Sequence, residues 1–399
     1  MSAVVCLTSA DFGLLICSIT NCPESLLKVI LSRKGFDSAN GGVASPILPG
    51  GTLVPLPIPA ARDPRTYGEV AVNGVAVGPL VEQLTGGRYK RTSRCHLDPD
   101  LDSEAVPRIA GWRPAFGQIN SAQSHLARHA ICKGDLFLFF GWFREAEQID
   151  GRWRFVREAP NLHVIYGWME VDEVINLAAS RRSDLLAPFA DHPHLHGRSD
   201  PSNTLYLASE RLHLPRLDRQ GGGMFREISG PRVLTDTRQS KRSTWRLPQW
   251  LHPDFGTTLS YNETPGRWQL DGTECTLSSA ARGQEFVLAT ANREATEAWL
   301  GDVFGAQKSA LADCSNQRAS EANITIVGRP RDKSVAAGSV DVIDAHGQLN
   351  EERGMYVSAL WDFISDNAHL CASTRPFLRR STPATASIMS SVRQADRFF

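Results

Sequence analysis

The stretch KGDLFLFFGWFRE, Lys133–Glu145, decides how this chain is read. A Lys-Gly-Asp turn opens onto an apolar and aromatic run broken only by Gly141. A run that is short, aromatic-rich and bounded by turn residues predicts a strand rather than a buried helix. RWRFVRE, Arg152–Glu158, follows the turn residues QIDG, as a hairpin partner would, and leaves Glu145–Gly151 as an exposed tip. LHVIYGWMEVDEVINL, Leu162–Leu177, reads as a third strand that bends at Gly167. NTLYLAS (Asn203–Ser209) and RGQEFVLAT (Arg282–Thr290) add two more. Upstream, Lys28–Leu31 reads as a buried strand. The proline-rich Pro46–Pro59 reads as an edge strand or a segment wrapped on the core, because proline has no donor for a central ladder. NREATEAWLGDVF, Asn292–Phe304, carries helical spacing in Ala295, Trp299 and Phe304. The predicted fold class is α+β: a curved, mostly antiparallel β-sheet or barrel with flanking helices.

Beyond these elements the pattern fades. Residues 1–26 show no period and hold three cysteines. They are read as an extension outside the domain from a misplaced start site, or as a small helix packed on it. Residues 27–304 form the expected domain. Residues 305–399, rich in Ser, Ala, Arg and Asp, form an expected poorly structured extension with one apolar island, MYVSALWDFI. Lys plus Arg equal Asp plus Glu at 43 each, so no global charge draws the chain to nucleic acid or membrane. A nucleic-acid partner would need a local basic face. The first basic residue is Lys28 and Asp11 interrupts the leading apolar stretch, so neither a secretory signal nor a membrane span is supported. None of the eight cysteines forms a CxxC pair, and free thiols in a reducing cytoplasm are the simplest reading.

Five sets of residues carry candidate chemistry. In VILSRKGFDSANGGVASPI, Val29–Ile47, a strand ends in Ser32, Arg33 and Lys34 before a Gly-rich turn. The guanidinium fork and the ammonium suit phosphate, and Asp37 can orient Arg33 or cap the turn. The spacing is neither a Walker A loop nor a dinucleotide fingerprint. In RCHLDPDLD, Arg94–Asp102, His96, Asp98 and Asp100 would share a face of an extended segment, suited to proton transfer or a divalent ion, although Asp-Pro-Asp is also an ordinary surface turn. Just upstream, GGRYKRTSR places four cations around Tyr89, a pattern for phosphate contact with base stacking or for a solvated loop. In FGQINSAQSHLARHAICKGD, Gln118 and His125 can read a base edge; His125 and His129, four apart, form a metal pair or mark a plain amphipathic helix. DHPHLHG alternates His192, His194 and His196, a zinc or nickel pattern on a strand, but Pro193 and Gly197 argue for a loop. In RGQEFVL, Glu285 is a candidate general base or oxocarbenium stabiliser; the plainer reading pairs it with Arg282. No metal ligand is assigned and the cofactor is unknown.

These motifs together — LSRKGFDS, the Gly-Gly and Pro-rich segment, CHLDPDL, FGQ with HL, GDLFLFFGWFR, HVIYGWMEV, NTLYLAS, LPQW, LSY and RGQEFVL — resemble the third of the nucleotide modification associated domain families, from about Leu27 to about Phe304. The resemblance implies a bacterial or phage protein tied by context to nucleic-acid base modification. It places the family's polar positions on Ser32, Arg33, Lys34, Asp37, His96, Asp98, Gln118, His125 and Glu285, and it supplies no reaction. The expected function is a nucleotide- or base-modifying enzyme in the cytoplasm. His96, Asp98 and Glu285 would be catalytic; Ser32, Arg33, Lys34, Asp37, Gln118 and His125 would bind substrate. Its partner would be a nucleotide or nucleic acid, not a membrane. A metal-dependent nuclease would require the 96–100 cluster to bind magnesium, and two further alternatives stay open. One is a PUA-like reader of modified bases. The other is ADP-ribosyl transfer from NAD, using Arg33, Ser209 and Glu285, against which Gly283 stands where a Gln or Glu is common.

Overall fold

The computed structural model describes residues 27–305, apart from 181–182, 197–198 and 216. The expectations for residues 1–26 and 306–399 fall outside the described residues. The main sheet has ten strands. They are β1 (Val29–Arg33), β2 (Ser45–Ile47), β3 (Ala115–Gln118), β4 (Leu136–Ile149), β5 (Arg152–Phe155), β6 (Leu162–Asn176), β7 (Thr204–Ala208), β8 (Gly222–Met224), β9 (Thr258–Leu259) and β10 (Glu285–Ala289). Hydrogen bonding runs in the order β9–β10–β1–β4–β6–β7–β3, with β2 and β5 on β4 and β8 on β6. β1 and β2 run parallel to β4; the other pairs are antiparallel. The sheet is therefore mixed. Among the described residues no ladder joins β3 to β9 or β10, so it is not a closed barrel.

The opening stretch lies in β4, and its continuous apolarity has a direct cause. Side chains alternate across a strand, and this strand is covered on both faces. Leu136, Leu138 and Phe140 enter one core with Trp245, Phe286 and Phe304. Phe137 and Phe139 enter the opposite core with Phe116, Leu126 and Tyr206. Burying each such phenyl contributes about 2–3 kcal/mol. Past Phe143 the run turns polar, and the hairpin with β5 packs on a further core through Ala146, Trp153 and Phe155, so Ala146 is buried within the predicted tip. β6 shifts register between Ile165 and Gly167, where the sequence predicted a bend. A Cβ on Gly167 would lie 2.5 Å from Leu101.

α1 (Val77–Leu84) belongs to a third core with Phe36, Tyr67 and Leu56. α2 (Asn120–Arg128) follows β3 directly. α3 (Arg293–Phe304) starts where the Asn292 side chain accepts the Ala295 N–H at 3.0 Å and stops at Gly305 in the left-handed region. Among the described residues no helix is long and apolar enough to cross a membrane. Cys95 and Cys275 are buried free thiols, and burial raises both to about 12.

Candidate functional site

Three strand ends converge on Glu285. It begins β10 and lies opposite Ser32 in the β1–β10 ladder, so the two side chains share a face. Lys34 follows β1, and its Nζ donates to Glu285 Oε1 at 2.7 Å. Gln118 ends β3, and its Nε2 donates to the same oxygen at 2.7 Å. The Glu285 side chain is 0% exposed and that of Lys34 9%. Lys34 also lies 4.6 Å from the centre of the Phe116 ring. Gly141 makes this geometry possible: a Cβ there would sit 2.8 Å from the Lys34 carbonyl oxygen. Glu285 Oε2 and Ser32 Oγ are both buried and have no hydrogen-bond partner among the described residues. Two such atoms on one face are costly unless something binds them. A cleft of about 460 Å³ lies above, lined by Gln118, Asn120, Tyr261, Gln284 and Glu285.

The remaining predicted residues divide. His125 lies on α2, and its Nε2 is 2.9 Å from Ser260 Oγ, which also accepts the Val287 N–H at 2.8 Å. The His125 ring packs against Tyr261 at 4.4 Å and meets His129 edge-on at 4.5 Å. Burial, then His129, lowers the His125 pKa. Arg33 donates to the carbonyls of Ala281 and Gly283, tying β1 to the loop before β10. Burial lowers its pKa. Asp37 accepts from the N–H groups of Ala39 and Asn40 at 2.8 and 2.6 Å, the turn-capping alternative. Ser209 Oγ donates to the Arg211 carbonyl at 2.8 Å, and Glu285 is engaged by Lys34 and Gln118 rather than by Arg282.

His96 and Asp98 sit in a second cluster that sequence spacing did not assemble. Asp100 leaves it for a bidentate pair with Arg108 at 2.7 and 2.6 Å. Asp102 accepts the backbone N–H of Asn73 at 2.9 Å. His192 and His194 enter instead, on a short turn beside β3. His194 Nε2 lies 3.8 Å and His96 Nε2 3.7 Å from Asp98 Oδ2. His196 turns away to the Ala190 carbonyl. Asp63, which the sequence reading passed over, lies 2.5 Å from His96 Nδ1. Burial opposes ionisation of Asp98, but His192, His194 and His96 hold its carboxyl below the usual carboxylate range. Burial pushes His194 down to about 4.

The two clusters meet on β3. The Gly117 N–H donates to Asp98 Oδ1 at 2.7 Å, and the next residue, Gln118, holds Glu285. Tyr166 stands near both carboxylates; burial, then Asp98 and Glu285, raises its pKa well above the usual phenol value. Residue type alone gave no signal for Ser260, Tyr166 or Asp63. His192 and His194 were visible as a motif whose partners were not.

Fold and site together define a class: a mixed-sheet α+β domain with a buried lysine–carboxylate pair beneath an open cleft. The chain belongs to the nucleotide modification associated domain 3 family, whose model matches residues 28–289. No curated protein and no solved structure matches it.

Proposed function

We propose that the protein is an enzyme that modifies a nucleotide or a nucleic-acid base in the cleft above Glu285. The observation that carries this is the half-used carboxylate. Lys34 and Gln118 both hold Oε1, while Oε2 and the neighbouring Ser32 hydroxyl are buried and unpartnered. Such an arrangement is expensive for a mere binder and suited to a group that must meet a proton or a developing positive charge. A reader of modified bases needs a stacking face and edge contacts but no buried ion pair. Tyr261, 41% exposed at the cleft, offers a stacking face, and Asn120 and Gln284 offer amides for a base edge.

Curling of the main sheet supports this reading. β3 and β10 are five strand steps apart, about 24 Å in a flat sheet. The Gln118–Glu285 hydrogen bond brings their side chains to 2.7 Å. A base within a duplex would have to be flipped to reach so deep a carboxylate, so single-stranded or free nucleotide is the simpler substrate.

The test is mass spectrometry of nucleosides from the DNA, RNA and nucleotide pools of cells expressing wild type or Glu285→Gln. A nucleoside gained or lost with wild type and restored to baseline with Glu285→Gln is expected. Unchanged nucleosides in every pool, with the folded protein still binding oligonucleotides, would overturn the enzyme reading.

A further inference from the structure

We propose that His96, Asp98 and His194 bind a divalent first-row transition-metal ion through His96 Nε2, Asp98 Oδ2 and His194 Nε2. This is a second site, separate from the Glu285 cleft. The three ligand atoms lie within 4.8 Å of one another. Ligands on a tetrahedral ion at about 2.0–2.1 Å stand roughly 3.3 Å apart. The two Nε2–Oδ2 distances, 3.7 and 3.8 Å, therefore need to close by about 0.4 Å each, with a larger approach between the rings.

The outer partners argue for a cation more strongly than the distances do. His96 Nδ1 faces the Asp63 carboxylate at 2.5 Å, so Nδ1 carries a proton and, in the neutral ring, Nε2 the lone pair. His194 Nδ1 faces Asn203 Oδ1 at 2.7 Å. That amide cannot be the other way round, because Asn203 Nδ2 donates to the His194 carbonyl at 2.9 Å. His194 Nε2 therefore also carries the lone pair. In the neutral rings two imidazole lone pairs thus face one carboxylate oxygen, as ligands around a shared cation do. The other carboxylate oxygen is already placed: Asp98 Oδ1 accepts the Gly117 N–H, and His192 Nε2 lies 3.3 Å from it. His192 is a positioning residue and not a ligand. Its Nδ1 accepts the His194 N–H, which leaves the proton on the nitrogen that faces Asp98.

A carboxylate or amide on each ligating histidine is what metal sites use to fix tautomer and ring direction. Gly117 completes the cradle: a Cβ there would lie 2.3 Å from the His194 ring. A set of two imidazoles and one carboxylate suits zinc, and also iron(II).

The experiment uses the full chain, purified without chelator and exposed in parallel to zinc in air and to iron(II) without oxygen. After removal of loose ions by dialysis, metal is counted by plasma mass spectrometry. Wild type should keep about one ion of zinc or iron per chain, as expected for one three-ligand site. His194→Ala and Asp98→Asn should keep less than about a tenth of that, and Asn203→Ala should bind about 10–100-fold more weakly with its circular dichroism unchanged. Should the ligand variants not fold, melting of wild type and Asn203→Ala with and without zinc still decides: zinc should raise the wild-type midpoint, and raise that of Asn203→Ala less. Equal shifts in the two, no retained ion in wild type, or stoichiometric ion in a folded His96→Ala/His194→Ala protein would each overturn the proposal. No readout depends on substrate, so failure of the base-modification reading leaves this result standing, and the reverse holds too.

Discussion

Lys34→Met tests whether the buried ion pair is what fixes Glu285. Lys34 Nζ and Glu285 Oε1 are 2.7 Å apart, with side chains 9% and 0% exposed. At an effective dielectric near 20 their attraction is on the order of 6 kcal/mol, most of it offset by the cost of desolvating both ions. The methionine keeps the length and apolar volume of the lysine stem but removes the charge, so Glu285 is left buried with only Gln118 on Oε1. Stranding one member of a buried pair costs about 3–5 kcal/mol. Loss of the ammonium over Phe116 adds about 0.5–2 kcal/mol. The second half of the test is Lys34→Met/Glu285→Gln, in which no charge remains and the new amide oxygen still accepts from Gln118. That protein should recover at least about 2 kcal/mol over Lys34→Met, because the two sites share one interaction and cannot be additive. Urea unfolding followed by tryptophan fluorescence reads both, since Trp245 is fully buried. A single variant that loses less than about 1 kcal/mol, or a double variant no more stable than the single, would refute the argument that the charge on Glu285 depends on Lys34.

Three further outcomes follow from the same packing. Gly117→Ala should destabilise by about 1–3 kcal/mol, because its Cβ must displace the His194 ring, and the loss is read as a lowered melting midpoint. Phe139→Ala should cost about 3–5 kcal/mol in urea unfolding, since the ring is fully buried against Phe116 and Phe137. His163 is buried and accepts the Trp245 indole N–H on Nδ1, and burial pushes its pKa down to about 3 from an ordinary value near 6.5. The unfolded chain therefore binds a proton that the native protein refuses between those values. Stability should fall by up to about 1.4 kcal/mol per pH unit from this residue as pH drops from about 6.5 to about 3. His163→Gln should flatten that slope in urea titrations at stepped pH, and an unchanged slope would remove His163 from the account.

The strands were legible because their signals are local. Continuous apolarity in Leu136–Phe140, turn residues at Asp150–Gly151 and a glycine at the bend of β6 each act over a few residues. The parallel pairing of β1 with β4 was not legible, because it joins segments about a hundred residues apart and nothing in either names the other. The site followed the same division. Lys34 was readable at a strand end, Glu285 within a strand and Gln118 as a polar residue ahead of a helix, but their meeting depends on the whole sheet. Arg33 and Asp37 hydrogen-bond backbone carbonyls and N–H groups, partners that residue type cannot reveal. The spacing of His96, Asp98 and Asp100 suggested a shared face, but Arg108 drew Asp100 away, and the turn at His192–His194 took its place.

β3 explains why both clusters occur in one chain. Its register on β7 pairs Gly117 with Leu205 and Gln118 with Thr204. In that register the Gly117 N–H reaches Asp98 and the Gln118 side chain reaches Glu285. A slip of one residue would reverse every side chain on the strand. Phe116 would leave the aromatic core, Gln118 would face away from Glu285, and the missing Cβ that admits the His194 ring would lie at the wrong place. One four-residue strand, AFGQ, therefore needs a large apolar residue, no side chain and an amide in that order. Each requirement belongs to a different neighbour, which ties the position of His194 and that of Gln118 to a single register.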